Sequence, residues 1–160
     1  MKFSIAIAFA VLAGFVTEPA NAAGFQPVDI TIVLSPRAAA TLSKHKEAII
    51  VSASYSGDPE KSAEKHADEI GRIDLGTEEH SMPGTGGTVR LTGPKTDEEK
   101  FGWIKGPVLI NVNVYSARKS SQDNLLNCDF IDGPLPQVAK APVTLNCSLI
   151  AENKSTRALP

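Results

Sequence analysis

Apolar residues at every second position dominate this chain. That spacing admits little but β-strands, whose side chains point alternately to opposite faces. Val28, Ile30, Ile32 and Leu34 share one face, with Asp29 and Thr31 on the other. Ile49, Val51, Ala53 and Tyr55 do the same against Ile50, Ser52 and Ser54. Val89 and Leu91 flank Arg90, and Val108, Ile110, Val112 and Val114 alternate with Leu109, Asn111, Asn113 and Tyr115. Val143, Leu145, Cys147 and Leu149 alternate with Thr144, Asn146, Ser148 and Ile150. Residues 70–75 and 125–131 carry the pattern more weakly. The pattern predicts an all-β, mainly antiparallel sandwich of about seven short strands around one core. Only 6% of the residues are aromatic, so that core rests on Val, Ile, Leu and Ala.

Two short helical pieces interrupt the strands. Ser35-Pro36 is an N-cap followed by a first-turn proline, leading into three alanines and Leu42. Asp58-Pro59 repeats that start, with Gly71 as a stop and a thin stripe of Ala63, Ala67 and Ile70. This second piece is expected to be a surface helix or an ordered loop. Residues 83–87 read as a Gly-rich hairpin turn, and residues 93–100 as a polar connector. A loop is expected from Asp132 to Pro142, and a frayed polar tail over residues 152–160.

The chain starts with Lys2 and an almost wholly apolar run over residues 3–16. Thr17-Glu18-Pro19 breaks the run, and Ala20-Asn21-Ala22 supplies the small residues that a signal peptidase needs. The run is shorter than the roughly 20 residues of a membrane span. Residues 1–22 are therefore expected to be a cleaved secretory signal peptide, of bacterial type. They would deliver a single domain, residues 23–151, with a flexible tail, residues 152–160, to the periplasm or the medium. No second long apolar run follows, so no membrane span is expected in the mature chain.

Export places the two cysteines in an oxidising compartment, so Cys128 and Cys147 are expected to form one structural disulfide. Cys128 shares its strand face with Leu126 and Phe130, and Cys147 with Val143, Leu145 and Leu149, so both sulfurs should point inward. Closing that stretch stabilises a fold by roughly 3 kcal/mol in the chain-entropy account.

The motifs for catalysis are thin. There is no G-x-S-x-G elbow, and the S-x-x-K matches lack their companion motifs. Adjacent carboxylates at Asp68/Glu69, Glu78/Glu79 and Asp97/Glu98/Glu99 point to different sides and make poor acid–base pairs. The turn Gly84-Thr85-Gly86-Gly87 precedes a strand, not the helix that a phosphate cradle requires. A net charge of −2 excludes a nucleic-acid binder working by bulk electrostatics. No enzymatic activity and no cofactor are expected.

Two groups remain as candidate sites. His80 and Met82 sit two residues apart and would face the same way on a strand; soft ligands of that kind suit copper, as in a small copper-binding carrier. The bland alternative is a hairpin end. Phe101 and Trp103 concentrate two aromatics at a strand entrance, and Tyr115 stands near Arg118 and Lys119. Aromatic and arginine side chains dominate interface energies. These five residues are the expected binding residues, with Arg118 and Lys119 steering the encounter.

The run Val28-Asp29-Ile30-Thr31-Ile32-Val33-Leu34-Ser35-Pro36, a small helix, and then residues 48–57 resembles the immunoglobulin-like or transthyretin-like sandwich domains of bacterial periplasmic assembly factors. The resemblance implies a β-sandwich fold and assigns no functional residue. The expectation is therefore an exported, non-enzymatic interaction protein whose partner is another periplasmic or extracellular protein. An inhibitor or immunity protein against a secreted hydrolase is the alternative within the same class.

Overall fold

Among the described residues nine strands form, where the alternation predicts about seven, and they divide between two sheets. The computed structural model describes residues 25–160, so the export segment expected over residues 1–22 lies outside the described residues. The strands are β1 (Val28–Leu34), β2 (Ala48–Pro59), β3 (Ile73–Pro83), β4 (Gly87–Leu91), β5 (Ile104–Ser116), β6 (Leu126–Cys128), β7 (Phe130–Pro134), β8 (Val143–Leu149) and β9 (Ala158–Leu159). Helix α1 (Pro36–Lys44) follows β1, and the single turn α2 (Leu135–Val138) follows β7. Three 3-10 helices cover Lys61–His66, Glu98–Trp103 and Ile150–Glu152.

One sheet has the order β4-β1-β8-β6 and the other β3-β2-β5-β7-β9. Most pairings are antiparallel, but β1 runs parallel to β8, and β7 parallel to β9. The fold is an all-β sandwich built from two mixed sheets. Its core joins Ile30, Ile32 and Leu145 of the first sheet to Ile49, Val51, Tyr55, Ile110 and Val112 of the second. Those are the positions that the period-two pattern assigns to the inside.

The differences from the sequence reading have local causes. Residues 125–131 are not one strand. The chain changes sheets at Asp129, leaving β6 in the four-stranded sheet and β7 in the five-stranded sheet. The phase slips there as well, so Ile131 is fully buried while Phe130 is half-buried. Asp58-Pro59 ends β2 instead of starting a helix, and only the 3-10 turn Lys61–His66 follows. Residues 83–87 do not close a hairpin, because β3 and β4 belong to different sheets; the turn carries the chain across the sandwich. Gly84 is needed there, since a Cβ would collide with the Glu47 carbonyl oxygen. Asp132 to Pro134 continue β7.

The tail expected to fray is tied back. Arg157 accepts from the Phe130 N–H at 3.0 Å, and Ala158–Leu159 pair with β7. Asp129 holds the same segment, accepting from the Arg157 amide and guanidinium, each at 2.9 Å, and from both nitrogens of Asn146. Burial pushes the Asp129 carboxyl up, but Arg157 and Asn146 outweigh it and hold the group well below the usual carboxylate range. Ser35 caps α1 as its sequence suggests, accepting from the Ala38 N–H at 3.1 Å.

Cys128 and Cys147 form a disulfide and stand directly opposite each other on β6 and β8. Cys147 is buried and Cys128 half-buried.

Candidate functional site

The five expected binding residues separate into two groups. Phe101 and Trp103 lie just before β5, and Tyr115, Arg118 and Lys119 lie at its far end and just beyond it. At strand rise, Trp103 and Tyr115 stand up to roughly 40 Å apart.

Phe101 and Trp103 belong to the 3-10 turn ahead of β5, and both are half-buried against the core. Trp103 has a second task. Its indole stacks on the ring of His66 with centroids 4.2 Å apart and planes 8° from parallel. Its carbonyl accepts from the Glu60 N–H at 2.7 Å. Trp103 thus braces the segment from Glu60 onward. That segment continues into a loop in which Asp68 accepts from the N–H groups of Ile70 and Arg72. The loop walls a polar groove of about 520 Å³ over Ser54, Ser56, Asn111 and Asp132.

At the other end, Tyr115 points to the outer face of the five-stranded sheet and is half-buried. Its hydroxyl donates to Glu79 at 2.8 Å. Burial, and then the Glu79 carboxylate, push its phenol pKa up. Arg118 and Lys119 are exposed on the loop between β5 and β6.

The loop is ordered by groups that the sequence reading did not single out. Glu47 is only 3% exposed and points its carboxylate under the loop. It accepts from the Lys119 N–H at 3.1 Å, from the Ser120 N–H at 2.7 Å and hydroxyl at 2.5 Å, and from the Ala48 N–H at 3.1 Å. Burial pushes its carboxyl pKa up, but the Ser120 hydroxyl and the three amides pull it down to about 2. The other limb is held by Asn124. Its side-chain oxygen accepts from the N–H groups of Ser116 and Leu126, and its amide donates to the Leu126 carbonyl. Ala117 closes the base with a 2.8 Å bond to the Ala48 carbonyl. Arg118 sits within this frame at φ +57°, a left-handed conformation that costs a non-glycine residue roughly 1–2 kcal/mol. Such strain persists only where the surroundings over-determine the backbone. No local motif marks Glu47, whose partners lie 72 and 73 positions further along the chain.

His80 and Met82 face the same side of β3, as their spacing requires. Met82 is buried in the core, and the His80 Nε2 lies 3.1 Å from the Glu78 carboxylate. Glu78 also accepts from the Tyr55 hydroxyl and from the N–H groups of Thr92 and Gly93. Burial raises the Glu78 carboxyl, but these donors together hold it below its ordinary value. Tyr55 is buried, and both burial and Glu78 push its phenol far up. The constellation works as a polar strut between β2, β3 and the segment after β4. Among the described residues, no group of three or more His, Cys, Asp or Glu side chains is placed to hold a metal ion. No described helix is long and apolar enough to cross a membrane.

No known family, curated protein or solved structure matches the chain.

Proposed function

We propose that this is an exported, non-enzymatic interaction protein. It would recognise another periplasmic or extracellular protein through Tyr115 and the loop carrying Arg118 and Lys119. The observation that carries this reading is the buried Glu47 carboxylate beneath the loop. It fixes the backbone from which two exposed cations project, so little ordering entropy remains to be lost on association. The loop also adjoins Tyr115, and tyrosine and arginine are the residue types that most often anchor interfaces.

Two further observations support the reading. The carboxyls of Glu47, Glu78, Asp129 and Glu152 are all shifted downward, and each is occupied by donors from its own chain. Such groups hold structure; a general acid or base needs a pKa near the working pH. The disulfide fits an oxidising compartment, which accords with the export segment expected at residues 1–22.

The test is affinity capture from a periplasmic extract of the source organism, using the oxidised protein. One dominant protein partner is expected, retained by Trp103→Ala and lost in the pair Arg118→Ala/Lys119→Ala. A single partner of fixed stoichiometry that is itself a hydrolase would make the protein an inhibitor. Capture of no protein at all, or capture indifferent to the loop substitutions, would overturn the assignment of this surface.

A further inference from the structure

The fold joins two basic segments that are far apart in the chain. Lys44, His45 and Lys46 close helix α1, and all three are exposed. The next residue is Glu47, the residue that holds Lys119 and Ser120. Lys44 and Lys46 therefore sit on the segment that leads into this buried carboxylate, and Arg118 and Lys119 on the loop mounted on it. None of the four lies in an ion pair among the described residues. The Glu47 oxygens are taken up by backbone and hydroxyl donors, so its carboxylate makes no direct ion pair with any of the four and offsets only one of their charges. Asp123 is the one carboxylate of residues 117–124. A chain with a formal net charge of −2 thus gathers four unpaired cations at one corner.

Local physics explains part of this. Cations at a helix C-terminus complement its dipole, which accounts for Lys44 and Lys46 taken alone. It does not account for Arg118 and Lys119, which arrive from a different loop. Nor does it account for the backbone. Glu47 N–H bonds the Leu42 carbonyl at 2.9 Å and Lys46 N–H the Ser43 carbonyl at 3.2 Å. That is a Schellman ending, in which glycine is the usual residue at the position Lys46 occupies with φ +52°. Two cations, Lys46 and Arg118, are thus held in left-handed conformations on facing segments.

We propose that this corner is a receptor for an acidic protein surface, with Arg118 as its central fork. The proposal rests on the function proposed above and names the chemistry of its partner. Charge complementarity gives the sign. The rigidity selects a protein over a lipid surface, because attraction to anionic headgroups asks only for accumulated charge and is met by flexible basic segments. An arginine on a fixed backbone, near a half-buried tyrosine, suits carboxylates held in a defined geometry, which a guanidinium binds with two parallel hydrogen bonds. The exposed large apolar residues, Val33, Ile70 and Ile150, all lie outside the two segments, so the corner has no wedge for insertion between lipids.

The purified protein would be titrated at physiological salt onto immobilised polyglutamate and onto vesicles of phosphatidylglycerol in phosphatidylcholine. Binding to polyglutamate is expected to fall roughly tenfold in Lys44→Ala/Lys46→Ala and in Arg118→Ala/Lys119→Ala, with vesicles left unbound. Arg118→Lys keeps the charge and removes the fork, and it should weaken polyglutamate binding severalfold. Equal or tighter binding to vesicles would overturn the proposal in favour of a lipid surface. Unchanged binding in Arg118→Lys would reduce the corner to bulk charge and overturn it too. A captured partner that ignores all these substitutions would defeat this inference and leave the interaction role standing; polyglutamate binding with no partner captured would defeat that role instead.

Discussion

Glu47 and Ser120, 73 positions apart, meet through two hydrogen bonds to a single carboxylate oxygen, at 2.5 Å from the hydroxyl and 2.7 Å from the amide. Together with the bonds from Lys119 and Ala48, they make Glu47 the post on which the loop between β5 and β6 is mounted. Glu47→Ala leaves the buried Ala48 amide and the part-buried amides of Lys119 and Ser120 without this acceptor. A loss of about 2–4 kcal/mol is expected in urea denaturation. Faster proteolysis within residues 117–124 should accompany it.

The same group sets an acid limit. Its carboxyl titrates at about 2 in the folded chain against an ordinary value of 4.5. A folded pKa below the unfolded one contributes stability that is complete above the unfolded value and drains away as pH falls toward the folded one. The denaturation midpoint should therefore drop between about pH 5 and pH 2. Glu47→Gln should flatten part of that slope, and an unchanged slope would show that Glu47 is not its source. Glu78, Asp129 and Glu152 are shifted in the same direction and should supply the rest.

Tyr55→Phe tests the strut beneath β3. The ring of Tyr55 keeps its edge-to-face contact with Phe25, at 5.0 Å between centroids, while Glu78 loses its phenolic donor. A cost of about 1–2 kcal/mol is expected, together with a rise of the Glu78 carboxyl toward its ordinary value. Carboxyl NMR titration of Glu78 would read the second effect directly.

Trp103→Ala should act locally. It removes the stacking partner of His66 and a half-buried ring, with a cost of about 2 kcal/mol. Amide exchange should accelerate over residues 60–72 and stay unchanged over residues 117–124, at the other end of β5. Acceleration at both ends would mean that the two clusters are coupled.

The strand faces of β1, β2, β5 and β8 are legible in the sequence because each keeps its apolar set on one side without interruption. The second half of β3 is not legible, because Glu78 and His80 occupy inward positions and erase the alternation. The change of sheet at Asp129 is hidden for a different reason. Residues 125–131 look like one strand, and only the demands of Asn146 and Arg157 on the Asp129 carboxylate make it a corner. The exposed cations Arg118 and Lys119 stand out as candidates in the bare chain. Their union with Lys44 and Lys46 does not, because it depends on a tertiary contact with no local signature. Phe101 and Trp103 precede β5 and Tyr115 lies near its far end, so the length of one strand divides the expected binding residues into two groups.

Reduction of the Cys128–Cys147 bond should cost roughly 3 kcal/mol, as loop closure over that separation implies. The matching observation is a lower urea midpoint in reductant, reproduced by Cys128→Ser/Cys147→Ser without it.

The parallel pairing of β1 with β8 dictates an order of assembly. Ile32, near the start of the described chain, lies beside Leu145, so the central pair of the four-stranded sheet closes only after nearly all of the chain is present. Antiparallel β4 reaches β1 earlier but leaves its other edge open. Cys128 likewise waits for Cys147. Contacts so distant in sequence are made late and slowly. A chain that emerges from its N-terminus, whether from a ribosome or through a membrane pore, would travel with this sheet unfinished and lock shut at the end of its passage.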